Sequence, residues 1–235
     1  MSTVAAHGQE RPAVTSHADR HLLPRTWALV GIAAGLAGVV GIQASMSIDA
    51  VYIEDGVADA ASITARLAEQ RANILVEHTA LILSSLLLLV FGAGLRRYLA
   101  RGLSPDSLVP WVASGGVLLT SVACLLGSGF TTEIVFGLGD PDQMVPEFAV
   151  MVGHWMGTIP WLWVGVGVSG IAVAVASLKH RAAPQWIGWT SAVLGGITAL
   201  FGVSPLQYMA GFTGPVWVLV VSLGFFFSGR RTQQA

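Results

Sequence analysis

From residue 27 onward the chain alternates long apolar runs with short polar stretches. The runs cover residues 27–46, 74–95, 108–128, 148–178, 186–203 and 208–227. Each is close to, or beyond, the roughly 20 residues that carry a helix across a hydrocarbon core about 30 Å thick. Apolar residues within a run are continuous rather than alternating, which favours helices over the strands of a membrane barrel. An open sheet would also leave backbone groups unpaired in lipid. The pattern predicts an all-α, polytopic transmembrane helix bundle of about six spans.

The polar stretches complete the layout. Residues 1–26 read as a disordered tail, residues 27–229 as the transmembrane helical domain, and residues 230–235 as a second tail. His7, His17 and His21 of the first tail read as solvated side chains in preference to a weak metal site. A cleaved leader is the alternative for the first run, since the small residues Ala44 and Ser45 lie at its end. The run exceeds a usual leader core and the whole stretch 1–26 precedes it, so a span is the better reading.

Two loops are long. The first, 49–73, is acidic at its start, and its second half has helical character: Ile63, Leu67 and Ile74 recur near helical spacing. Asp59 or Ser62 is placed to cap that helix, which either lies on the membrane surface or extends the second span outward. The second loop, 129–147, carries Gly137, Gly139, Pro141 and Pro146, which is turn chemistry. Asp140 and Asp142 there do not fill the six to eight oxygens of a calcium shell.

Charge sets the direction of the spans. With the N-terminus inside, ten of the 12 Lys and Arg residues fall on the inner side and only Arg66 and Arg71 on the outer. The bias of basic residues toward the cytoplasm then puts both termini inside a cytoplasmic membrane. Trp27, Trp111, Trp186 and Trp189 fall at inner helix ends, at the headgroup level such rings prefer. Charged residues make up 11% of the chain and hydrophobic ones 54%, against roughly 25% charged in a soluble domain. That composition excludes disorder over the domain. A net charge of −1 without a basic stripe gives nucleic-acid binding no support. The single cysteine, Cys124, excludes an intrachain disulfide and a Cys-built zinc site, and an apolar helix is an inert setting for it.

The candidate chemistry gathers at one end. Polar groups at membrane depth are costly and mark functional sites by default. Gln43 lies near the outer end of the first span, Glu77 and His78 about a turn inside the second, Glu133 after the third, and His154 about two turns into the fourth. At 1.5 Å per residue both histidines lie within about 10 Å of the outer boundary. A faint repeat pairs them: His78 precedes Trp111 by 33 positions and His154 precedes Trp186 by 32. Spans two–three and four–five would then be parallel repeats. Three readings of the cluster stand open. It is an interfacial set of mutually satisfied polar groups, a haem or transition-metal site on His78 and His154, or a proton-linked or substrate site with a histidine beside carboxylates. Gly165, Gly167, Gly170, Gly195 and Gly196 read as close helix contacts, and Pro160 as a kink in the fourth span.

The segments Arg25-Thr-Trp-Ala-Leu-Val-Gly31 and Arg181-Ala-Ala-Pro184-Gln-Trp186-Ile-Gly188, with an outer loop closing in Ala/Leu-rich helix, resemble a bacterial, actinobacterial-type family of multi-pass membrane proteins that carries a domain-of-unknown-function label. The resemblance implies an integral plasma-membrane protein and transfers no catalytic residue. No P-loop, Rossmann or other enzyme signature is found. The function expected is membrane-embedded binding, sensing or assembly, alone or with a membrane partner or a second copy in the lipid bilayer. The alternatives are a redox protein on His78 and His154 and a small-molecule transporter.

Overall fold

The computed structural model describes residues 25–52, 59–140, 144–158 and 163–228. Among them the protein is all α-helical: α1 Thr26–Ser45, α2 Ala60–Glu69, α3 Arg71–Ala100, α4 Val109–Gly137, α5 Pro146–Thr158, α6 Val164–Leu178, α7 Gln185–Val203 and α8 Ala210–Ser228. The tail histidines, Pro141, Asp142, Pro160, Trp161, Arg230 and Arg231 lie outside the described residues.

Six helices close a ring in chain order. α1 packs on α3, α3 on α4, α4 on α6, α6 on α7, α7 on α8, and α8 returns to α1. Five spans are long and apolar enough to cross a membrane: α1, α3, α4, α7, and α8 with the short 3-10 turn before it. α6, with 15 residues, is shorter. It extends about 22 Å at 1.5 Å per residue, yet it is embedded in the same core through Val166, Ala172 and Val173. Where no polar group forces an approach, small residues allow it. A Cβ on Gly195 would lie 2.6 Å from the Gly170 Cα, so α6 and α7 touch backbone to backbone.

The outward surface of the ring is as apolar as its core. Leu75, Leu83, Leu86, Leu89 and Val90 on α3, and Leu118, Leu119, Leu125 and Leu126 on α4, are all exposed. An unbroken apolar girdle of this extent is far larger than a soluble monomer exposes and suits lipid as its solvent.

A second, smaller layer covers one end of the ring, where α1 finishes and α3 begins, called the outer end below. Ile48 and Ala50 after α1, Ile63 and Leu67 of α2, Ile74 of α3, Ile134 and Val135 of α4, and Ala149, Val152 and Met156 of α5 form a hydrophobic cluster separate from the ring core. α2 has the predicted amphipathic face: Ile63 and Leu67 are buried, and Arg66 and Glu69 are exposed. Its cap is Asp59, which accepts from the Ser62 backbone N–H at 2.9 Å, and that bond holds the Asp59 carboxyl below the ordinary aspartate range. α2 ends at Gln70 and packs on α5. Asp49 ties the loop to it, accepting from Arg66 Nη2 at 2.9 Å and from the Gln70 amide. Arg71 Nε donates to the Val135 carbonyl at 2.7 Å and joins the layer to α4.

Two expectations are corrected. The fourth run, 148–178, holds two of the described helices: α5 turns an apolar face to α2 and the outer cluster, with Trp155 against the ring core, and α6 packs within the ring. The stretch 129–137 is not loop, because α4 continues through it so that Ile134 and Val135 reach that same cluster. Trp27, in the first turn of α1, faces the protein rather than lipid. It is buried, stacked on Phe91 at 5.8 Å and packed on Phe225 at 5.3 Å. Trp111, Trp186 and Trp189 are exposed as expected, with the Arg96 guanidinium 3.4 Å above the Trp111 ring.

Candidate functional site

The site is built where the two hydrophobic clusters meet. On α3, Ile74 belongs to the outer cluster and Leu81 to the ring core. Glu77 lies between them on the same helical face, at i+3 and i−4, so its side chain is sent into the seam. It is fully buried, and neither carboxyl oxygen has a hydrogen-bond partner.

The antiparallel register of α1 and α3 says what faces it. Trp27 meets Gly94, Phe91 meets Gly31, Leu81 meets Gly41, and Asn73 Nδ2 donates to the Ser47 carbonyl at 3.4 Å. These pairs set Glu77 opposite Ala44 and Ser45. Ser45 is buried, its hydroxyl donating to the Ile42 carbonyl at 2.8 Å. Farther inward, the Trp163 ring lies against Gly38 of α1 and Gly214 of α8. Its indole N–H is also buried without a partner.

His78 points a quarter-turn away, to α4. Its Nδ1 lies 2.7 Å from Thr131 Oγ1 and 3.1 Å from the Ser128 carbonyl. Thr131 spends its own proton on that carbonyl at 2.8 Å. Both oxygens therefore accept, so Nδ1 carries the proton and a neutral ring keeps Nε2 as an acceptor. Ser128 Oγ, on the same turn, is buried and unpartnered.

The remaining candidates sit elsewhere. His154 is on α5, exposed, edge-on to Tyr52 with ring centroids 6.2 Å apart. Its neighbour Trp155 turns the other way and donates from Nε1 to the Gly127 carbonyl at 3.1 Å. The two histidines thus have different partners and belong to different layers, and the repeat that pairs them in sequence does not give them equivalent surroundings. Gln43 on α1 and Glu133 on α4 are exposed. Among the described residues no group of three or more His, Cys, Asp or Glu side chains is arranged to hold a metal ion.

Ser45, Ser128, Thr131 and Trp163 escape a reading of the sequence. A serine or tryptophan inside an apolar run is ordinary, and only the helix register sets Ser45 opposite Glu77, Ser128 and Thr131 at His78, and Trp163 farther inward against Gly38. Set against protein-family models, curated proteins and solved structures, the chain finds no match.

Proposed function

We propose that this chain is a six-span integral protein of a bacterial cytoplasmic membrane, both termini inside, that binds a small ligand at its outer end through Glu77 with His78 beside it. The single observation behind this reading is the Glu77 carboxyl, wholly buried with both oxygens unpartnered. A buried polar group left unsatisfied costs about 1–3 kcal/mol. Retaining one at the junction of two apolar clusters, where methionine or leucine would pack, is the mark of a group kept for binding rather than for stability. The unpartnered Ser128 hydroxyl and Trp163 indole are companions in the same end of the bundle.

The inner placement of the termini draws on Arg96, Arg97 and Arg101 at the far end of α3, all exposed. The resemblance carried by Arg25–Gly31 and Arg181–Gly188 favours a bacterial host.

Thermal unfolding of the purified full-length protein, with Glu77→Met beside wild type in ligand-free buffer, tests the reading. Met fills a similar volume without a polar group. The expected result is stabilisation by about 1–3 kcal/mol. A lower midpoint for Glu77→Met makes the carboxyl a structural element and ends the reading.

A further inference from the structure

Resting on that reading, the inference concerns the chemistry of the ligand. We propose that the Glu77 carboxylate anchors one small monovalent cation, an alkali ion or a primary ammonium group, held at the outer end of the ring beneath the α2–α5 layer.

No described residue supplies Glu77 with a counter-charge. Among the described residues Arg66, Arg71, Arg96, Arg97, Arg101, Lys179 and Arg181 are exposed and Arg25 is half-buried at the opposite end. None forms an ion pair with Glu77, whose oxygens have no hydrogen-bond donor either. An acid buried in an apolar interior is neutralised either by a proton or by a cation beside it; among the described residues no side chain provides that cation, so one that binds there comes from outside them.

The neighbouring atoms are oxygens. The helix register places the Ser45 hydroxyl opposite Glu77. Carboxylate and hydroxyl oxygens suit hard cations and ammonium protons, whereas transition metals prefer imidazole or thiolate. Charge count selects the monovalent class. No second acid joins Glu77 in a group of three or more metal-ligating residues among those described. A divalent ion on one carboxylate would leave a net positive charge in a low-dielectric seam, at a cost of several kcal/mol. Access is short, since Glu77 lies six residues from the outer start of α3, about 9 Å.

The experiment uses the purified full chain in detergent. Thermal midpoints are compared in sodium, potassium, methylammonium and bulky N-methylglucamine chlorides at one ionic strength, for wild type and Glu77→Gln. Wild type is expected to gain about 2–4 °C in at least one small cation over N-methylglucamine, and the variant to lose that gain. A response to sodium or potassium identifies an inorganic ion, and a response confined to methylammonium identifies an organic ammonium ligand. Equal midpoints in all four salts, or a gain that survives in Glu77→Gln, overturns the proposal.

Should Glu77→Gln fail to fold, saturable binding of radiolabelled sodium, rubidium or methylammonium to wild type, near one per chain, takes its place. Absence of saturable binding for all three overturns the proposal. Inert cations together with a stabilising Glu77→Met remove the cation class and leave the buried-carboxyl site standing. A destabilising Glu77→Met removes both.

Discussion

His78 donates its Nδ1 proton to the Thr131 hydroxyl across 2.7 Å, and so fastens α3 to the outward extension of α4. The bond is part-buried between the two helices. Thr131→Val keeps the side-chain shape and removes the acceptor. The expected cost is about 1–2 kcal/mol, read as a lower thermal midpoint. His78→Phe is expected to cost less in the Thr131→Val background than in wild type, because the pair is then already broken. Full additivity would show that the contact carries no energy.

The Asp49 tether gives the outer layer a pH dependence of defined sign. The Gln70 amide first, and Arg66 second, hold the Asp49 carboxyl below its ordinary range. A depressed value in the folded state contributes stability above the unfolded value, about 3.9, and loses it as pH falls through the lower folded value. Asp49→Asn is therefore expected to lower the midpoint at neutral pH by a small amount, as exposed pairs do. The gap between variant and wild type should close in acid. A gap that widens in acid would contradict the assignment, and added salt should narrow it at neutral pH.

Two adjacent glycines separate packing from composition. A Cβ at Gly195 would stand 2.6 Å from the Gly170 Cα, where only backbone can give way, while at Gly196 it would meet nothing within 4 Å. Gly195→Ala is expected to destabilise by about 1–3 kcal/mol through forced separation of α6 and α7. Gly196→Ala should be neutral or stabilise by up to about 1 kcal/mol, since alanine holds a helix better than glycine. Equal effects at the two positions would mean that α6 and α7 do not meet face to face there.

The Asp59 cap is a local test of the outer layer. Asp59→Ala leaves the Ser62 N–H without its acceptor. The expected loss is about 1 kcal/mol, seen as faster hydrogen exchange in the first turn of α2 and unchanged exchange in α7. Acceleration spread evenly over the ring would show that α2 is not a separately opening layer.

How far the sequence could be read follows from what each signal measures. Runs of apolar residues locate helices that cross lipid, and α1, α3, α4, α7 and α8 fall where those runs lie. α2 was legible down to Asp59, Ile63 and Leu67 because water on one side enforces a helical stripe. In the ring both faces of a helix are apolar, so periodicity carries no information about which residues point inward. Leu81 is buried and Leu83 exposed with the same chemistry. The same blindness hid Trp163, Ser128 and Ser45. It also made Glu77 and His154 look like members of one cluster, although one lies in the seam and the other faces outward on α5. Apolar content by itself does not distinguish a span from a helix that packs on a covering layer, which is why α5 read as part of the fourth crossing.

The central claim is that lipid is the solvent of the apolar girdle and that the α2 layer and the α3–α4 turn lie on opposite sides of it. Single cysteines at Glu69, Leu119 and Ser104, with the native Cys124 buried in α4, test it by labelling with a membrane-impermeant maleimide in intact cells and in opened membranes. Cysteine at 69 is expected to react in intact cells, at 104 only after the membrane is opened, and at 119 in neither. Ready labelling at 119, whose leucine is 57% exposed and lies midway along α4, would place the girdle in water and contradict the account.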